Sequence, residues 1–385
     1  MSFRLSERAA RIVQAEIRAM SVECARVGGI NLAQGICDTE VPPQVRAGAK
    51  RAVDEGTNSY TRHDGLSKLR VALSRKLRQY NRIEADPETD ITVSAGSTGA
   101  FYCALLALLN PGDELVLFEP FYGYHLNTIL AVEAVPRTVR MRAPDWTFSQ
   151  EMLEAALTPR TRGLVVCTPS NPCGKVWTRS ELECVAAVAE KHDLYVFTDE
   201  IYEYILFDGN RHVSPASLPE LKDRTITISG YSKTFSVTGW RIGYSVAPAP
   251  VARMIGYLND LIYVCAPAPL QVGVAEGIES LPPDFYQAQS ATYERKRDRI
   301  CAALSTAGLE PCVPGGAYYV LADASRLPGQ SGKDRAMYLL REAGLATVPG
   351  EAFFQGDGGS SLLRLCFAKS DEDLDEACRR LERLG

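Results

Sequence analysis

Between residues 91 and 248 the chain repeats one pattern, a short run of aliphatic and β-branched residues followed by a longer helical stretch. The runs are ITVSAG (91–96), ELVLFEP (114–120), GLVVCTP (163–169), DLYVFTDE (193–200), RTITISG (224–230) and WRIGYSVAP (240–248). Segments such as VVC and YVF are apolar on both faces, which suits strands covered by helices on either side. The pattern therefore predicts an α/β fold with a mostly parallel sheet. From about residue 270 the texture changes. A charged helix, roughly Asp284 to Gly308, leads to GGAYYVLAD, a helix at 333–343, LATVPGEAFF, SSLLRLCFA and a last helix from Asp371. This order predicts a smaller α+β domain with antiparallel strands.

Residues 1–27 read as one helix, with Ile12, Ala15, Ile17, Ala19 and Met20 as its apolar positions. The Gly- and Pro-rich strip GGINLAQGICDTEVPPQV follows. Its backbone needs partners, so it is expected to lie across the rest of the protein or across a second subunit. The resulting division is 1–42 as an N-terminal arm and part of the small domain, 43–270 as the large domain, and 271–385 as the small C-terminal domain.

The length of 385 residues allows both domains a core. An apolar fraction of 46% and a charged fraction of 23% are ordinary for a soluble protein. A net charge of −5 without a basic run argues against a nucleic-acid partner. The longest apolar run, Phe101 to Leu109, falls short of the roughly 20 residues that a membrane span needs. The first residues carry charges throughout and no apolar core, so no secretory signal is expected and the chain is placed in the cytoplasm. Eleven cysteines without a CxxC pair predict buried reduced thiols. The four histidines form no HxH or HExxH array, so no metal site is expected.

Four segments carry chemistry. In SGYSKTFSVTGWRIG (229–243), Lys233 follows an apolar strand, has Ser229, Ser232, Thr234 and Ser236 around it, and has Arg241 eight residues on. This suits an imine-forming amine beside a phosphate, although a surface lysine and a salt-bridged arginine would read the same way. TDEIYEYILFDG puts Asp199 and Tyr202 at a strand end, where open α/β sheets bind ligands; alone, Asp199 could equally be a helix cap. PSNPCG places Asn171 at the end of the preceding strand, where a Pro-Asn turn is the plainer reading. SAGSTGA (94–100) opens a helix with small residues and hydroxyls, an anion site without the GK[ST] ending of a nucleotide loop.

With EPFYGY, PGGAYY, VPGEAF and LLRLCFA, these segments resemble the class I/II aminotransferases, a family of fold-type I pyridoxal 5'-phosphate (PLP) enzymes. Order and spacing match over nearly the whole chain. The resemblance implies that Lys233 is the Schiff-base lysine and proton shuttle, and that Asp199 partners the pyridine nitrogen. It implies Asn171 and Tyr202 as donors to the ring 3-hydroxyl oxygen and Tyr122 as the ring stacked on the cofactor. Gly96, Ser97, Thr98, Arg241 and Ser232 are implied as phosphate ligands. Arg364 is implied as the clamp for the substrate α-carboxylate, with Asn171 and Gly35 beside the substrate. Tyr60, in NSYTRHDG, resembles the tyrosine that reaches the phosphate of the neighbouring subunit, which implies a homodimer with shared active sites.

There are departures from the pattern. Relatives often carry serine three residues before the lysine, where this chain has Gly230. AQGICDTEVPP replaces the usual Gly-x-Pro and aromatic, so Cys37 and Thr39 are expected to alter the wall near the substrate. His63, beside the Tyr60 loop, is a candidate active-site group or a structural one. The leading function is transfer of the α-amino group of a small L-amino acid to a 2-oxo acid. The alternatives are PLP-dependent elimination, cyclisation or oxygen-dependent oxidation on the same scaffold, since the motifs do not set the fate of the intermediate. A binding protein without turnover is disfavoured by Lys233, Asp199 and Arg364 occurring together, and no room is expected for a DNA-binding domain. No second arginine is assigned to a distal carboxylate.

Overall fold

A computed structural model describes residues 4–12 and 14–384. The helix expected over 1–27 is two helices among these residues, Glu7–Ala10 and Glu16–Val27; residues 1–3 and 13 lie outside the described residues. Strand β1 (Ile30–Asn31) follows. The central sheet holds β2 (Ile91–Ala95), β3 (Glu114–Glu119), β4 (Val135–Arg140), β5 (Thr161–Cys167), β6 (Tyr195–Asp199), β7 (Thr225–Gly230) and β8 (Ile242–Val246). Their spatial order is β2-β8-β7-β6-β5-β3-β4. All six expected runs are strands in it. β4 is a seventh strand, not among the runs read from the sequence. VPRTVR alternates exposed positions with half-buried or buried ones because it is an edge strand with β3 as its neighbour.

Strands β4, β3, β5, β6 and β7 run parallel, while β8 is antiparallel to both β7 and β2. The cause is the short connection Tyr231–Arg241, which cannot hold a crossover helix and so sends the chain straight back. That connection is the lysine segment.

The second sheet joins β9 (Glu310–Cys312), β10 (Tyr319–Asp323), β12 (Val348–Pro349) and β13 (Leu362–Cys366) in the order β12-β13-β10-β9, antiparallel throughout. β11 (Leu345–Ala346) pairs instead with β1, in parallel. The Gly/Pro-rich strip thus lies along the smaller sheet. Cys366 N donates to Leu32 O at 2.7 Å and Asp38 N to Ala368 O at 3.2 Å. A single apolar cluster runs from Met20 and Leu32 through Val116 and Leu164 to Leu363 and Leu381, tying arm and both sheets together. The boundary expected at 270/271 falls inside the helix Ala268–Ser280, which packs on the helices Pro43–Asp54 and Ser67–Lys76.

Candidate active site

The strand directions bring the chemistry to one edge. Cys167 is opposite Asp199, Asp199 is opposite Ile228, Gly230 is opposite Gly243, and Ala95 is opposite Ile242. The carboxyl ends of β2, β5, β6 and β7 therefore share an edge with the amino end of β8. Asp199 at the end of β6, Gly96 at the start of the helix after β2, and Asn171 and Lys233 on the loops after β5 and β7 all sit at that edge. This is the crevice where open α/β sheets bind ligands.

A cavity of about 410 Å³ opens there. Lys233, Asp199, Asn171, Tyr202, Tyr122, Ser97, Thr98, Arg241, Ser232, Arg364 and Gly35 all line it. Tyr60 does not; it is 83% exposed, on the outside of the chain.

Lys233 Nζ donates to Gly35 O at 2.8 Å, so the N-terminal strip fixes the position of the amine. Burial pulls its pKa below that of an ordinary lysine, and the guanidinium groups of Arg241 and Arg364 push the same way. Asp199 ends β6. Its Oδ1 accepts from Ile201 N at 3.3 Å and its Oδ2 from His125 Nε2 at 3.0 Å. His125 is one of the four histidines that form no metal array in the sequence. It comes from the helix Gly123–Ala131, and nothing local in EPFYGYH announces a partner so far along the chain. Tyr122 caps that helix and meets His125 edge-on, centroids 5.3 Å apart.

Arg364 is fully buried in the middle of β13, opposite Leu321 of β10 and Val348 of β12. Nη1 donates to Asn171 Oδ1 at 2.9 Å and Nη2 to Ala33 O, while buried Nε has no partner among the described residues. The guanidinium lies over the Tyr319 and Phe353 rings at 4.4 and 5.2 Å. Tyr202 and Tyr319 share a hydrogen bond between hydroxyls at 3.0 Å. Burial raises the pKa of both phenols, which keeps them protonated as donors. Tyr319 belongs to PGGAYY, a segment whose wall-forming role was not assigned from the sequence.

At the opposite end, the helix Gly96–Leu108 starts without a side-chain cap, and its first turn carries Ser97 and Thr98. Gly96 has φ 75°, and a Cβ there would lie 2.3 Å from Arg241 Nη2. Only glycine lets the guanidinium approach this helix start. Arg241 itself holds a left-handed backbone at φ 57°.

Some expectations need correction. Cys37 and Thr39 do not line the cavity but brace the lysine loop from behind. Cys37 Sγ donates to Lys233 O at 3.6 Å, and Thr39 Oγ1 meets Ser236 Oγ at 2.5 Å. His63 packs against Tyr257, with centroids 5.5 Å apart, outside the cavity. Gly230 has a structural reason. A Cβ there would lie 2.9 Å from Ile242 O and 3.0 Å from Gly243 Cα, so no serine fits without moving β8. Ser229 is turned to Glu200 O at 3.1 Å and is no phosphate ligand.

The donor set suits pyridoxal phosphate. An uncapped helix start, three hydroxyls and an arginine can hold a dianion. A buried carboxylate, an amide with a hydroxyl, and a buried amine stand ready for the ring nitrogen, ring oxygen and aldehyde.

The family model for aminotransferase class I and II matches residues 27–381. The chain is 33% identical to kynurenine–oxoglutarate transaminase 3 of Rattus norvegicus, over 90% of this chain and 83% of that protein. It is also 33% identical to a probable N-succinyldiaminopimelate aminotransferase of Mycobacterium tuberculosis, over 95% of each. The solved structure of the M. tuberculosis N-succinyldiaminopimelate aminotransferase superposes with a TM-score of 0.95 at 32% identity, covering 99% of this chain and 100% of that one. YbdL of Escherichia coli, identified as having a methionine aminotransferase function, superposes with a TM-score of 0.94 at 30% identity, covering all of both chains.

Proposed function

The chain belongs to the class I and II aminotransferase family, and from that premise we propose how its own residues carry the family's reaction. It is a fold-type I aminotransferase that uses pyridoxal 5'-phosphate to pass an amino group from an amino acid to a 2-oxo acid. The observation that supports the assignment of roles is the meeting of Lys233, Asp199, Asn171, Tyr202 and Arg364 in one cavity.

When bound, the cofactor supplies an electron sink for the pair left as the substrate Cα–H bond breaks. Asp199 holds the proton on the ring nitrogen, and His125 fixes the direction of its carboxylate. Asn171 and Tyr202 donate to the ring oxygen, and Tyr122 covers the ring. Ser97, Thr98, Ser232, Arg241 and the helix start at Gly96 hold the phosphate. Arg364 grips the α-carboxylate, with its plane set by Tyr319 and Phe353. Lys233 Nζ, its pKa lowered by burial, takes the proton from the substrate Cα.

Reduction with borohydride tests this reading, and the cofactor should be fixed to the peptide that contains Lys233. Lys233→Ala should still bind the cofactor while turnover falls by about 10⁴-fold, the upper range for loss of a general base. A protein that takes up no cofactor, or a label on another lysine, would sink the assignment.

The enzyme is a homodimer with shared active sites in this reading. Met254, Tyr257 and Leu261 form an exposed stripe along the helix Ala249–Tyr263, continued by Val264. The Tyr60 loop lies beside it, with His63 on Tyr257 and Thr61 N donating to Cys265 Sγ at 3.4 Å. An apolar stripe of this kind needs a cover, and a two-fold partner would place each Tyr60 on the other chain. A fully active monomer in sedimentation would end that part. The free cysteines accord with a cytoplasmic setting. The large domain is read as extending through Ser280, the end of the helix that closes its packing.

A further inference from the structure

Two demands fall on the Tyr202 hydroxyl. A phenol has a single proton to donate, while its oxygen can also accept. In the reading above that proton goes to the ring oxygen of the cofactor. Yet the hydroxyl already lies 3.0 Å from that of Tyr319, and both residues line the cavity. The two tyrosines come from different sheets. Tyr202 is in the turn after β6, and Tyr319 opens β10. Their rings meet edge-on at 85°, with centroids 5.7 Å apart. Gly35 makes room for the meeting, since a Cβ there would collide with the Tyr319 hydroxyl.

The surroundings decide which phenol donates. Burial raises the pKa of both, but the Arg364 guanidinium, 4.4 Å over the Tyr319 ring, offsets part of that rise at Tyr319. On the other side Tyr122 and Asp199 add to the rise at Tyr202. Cys366 and Cys37 are the remaining titratable groups beside Tyr319. Tyr319 is thus the stronger acid of the pair and Tyr202 the better acceptor. The neighbouring Tyr318 does not compete, because its hydroxyl donates to Gly35 O at 3.3 Å. Among the described residues, Tyr202 is the one hydrogen-bond partner of the Tyr319 hydroxyl.

Resting on the proposed function, we infer that Tyr319 is a positioning residue that donates to Tyr202 and so directs the single proton of Tyr202 to the ring oxygen of the cofactor. A hydroxyl that accepts a hydrogen bond also donates more strongly, by about 10–30% per bond. The ring that sets the plane of the Arg364 clamp thereby also tunes the cofactor. The sign of the tuning follows. With the cofactor on Lys233, its ring oxygen and Lys233 Nζ share a proton. A stronger donor at Tyr202 takes up part of the charge on that oxygen, so the shared proton leaves at a lower pH.

The test is a spectrophotometric pH titration of the cofactor-loaded enzyme, following the visible band that reports this proton. Tyr202→Phe removes the donor and should raise the midpoint most. Tyr319→Phe keeps the ring beneath Arg364 and should raise it by roughly 0.1–0.7 pH unit, the 10–30% share of a hydrogen bond to a charged group. Added to Tyr202→Phe, it should raise the midpoint no further, because its effect passes through Tyr202. Acetate, a probe of the Arg364 clamp, should bind Tyr319→Phe as it binds the native enzyme. If Tyr202→Phe raises the midpoint and Tyr319→Phe does not, the inference alone is overturned. An equal rise with and without the Tyr202 hydroxyl overturns it too, as does weaker acetate binding at an unmoved midpoint, which would leave Tyr319 as a support of the clamp. If Tyr202→Phe itself leaves the midpoint in place, the ring-oxygen role of Tyr202 fails and the inference falls with it.

Discussion

Asp199 and Glu200 are adjacent, both carboxylates, both buried, and they do opposite things. Asp199 takes one donor on each oxygen and borders the cavity. Glu200 turns into the protein. Its Oε1 accepts from Thr198 Oγ1 at 2.8 Å and Ser214 Oγ at 2.9 Å, and its Oε2 from His212 Nε2 at 2.7 Å. Nearby, Glu203 Oε1 takes the ammonium of Lys76, and its Oε2 accepts from Asn81 Nδ2 at 2.7 Å. Glu200, Glu203 and His212 are close enough together to hold a metal ion. Lys76, however, already supplies the cation to Glu203. Burial therefore does not separate a working carboxylate from a structural one. What separates them is whether the protein's own donors surround the carboxylate or leave one side to a cavity.

The comparison breaks most sharply at Asp199. In the proposed reading Asp199→Ala removes the charge that keeps the ring nitrogen protonated, and turnover should fall by about 10²–10³, the range for losing one preorganised electrostatic partner. The thermal midpoint should move little, because the lost contacts are one backbone amide and His125. Stopped-flow measurement of Cα-deuterated against protonated amino acid should show that proton removal has become the slow step. An Asp199→Ala enzyme of near-native rate would mean that the ring nitrogen lies elsewhere.

How far the sequence reaches follows the same division. The six strand runs are legible because strands buried on both faces are rich in aliphatic and β-branched residues, threonine included. Strand β4 is not, because an edge strand can carry Arg137 and Arg140 without cost. The lysine segment, Asp199, Asn171 and Arg364 are legible through ordered local motifs that the fold gathers at one sheet edge. Arg18, which also lines the cavity, has no such signal. Between Glu16 and Ala19 it looks like part of a solvated helix face, and only the packing of Met20 and Cys24 turns that face toward the cavity. The pairing of His125 with Asp199 is equally hidden, since it depends on β6 and the helix after β3 meeting in space. Tyr60 is legible as a motif, but its exposed position gives it no task within one chain.

The smallest expected effect on chemistry, and the clearest on stability, belongs to the closed cluster. Glu203 is 2% exposed and Lys76 6% exposed, with Tyr80, Tyr204 and Tyr244 rings around the ammonium. Water cannot replace a lost partner at such a depth. Glu203→Gln keeps the shape and an acceptor for Asn81 but leaves the ammonium buried without a counter-charge. Removing one member of a buried ion pair costs about 3–5 kcal/mol, more than the pair itself contributes, because the survivor keeps its desolvation penalty. The thermal midpoint at saturating cofactor should therefore drop by several degrees, while turnover per folded active site, counted by cofactor content, stays within about twofold. Adding Lys76→Met removes the stranded charge with a side chain of similar length. The double variant should then recover most of the loss, so that the two substitutions are strongly non-additive. Additive destabilisation would show that Lys76 and Glu203 do not act as a pair. A collapse of turnover at unchanged stability would place Glu203 with Asp199 among the working carboxylates and erase the distinction between the two clusters.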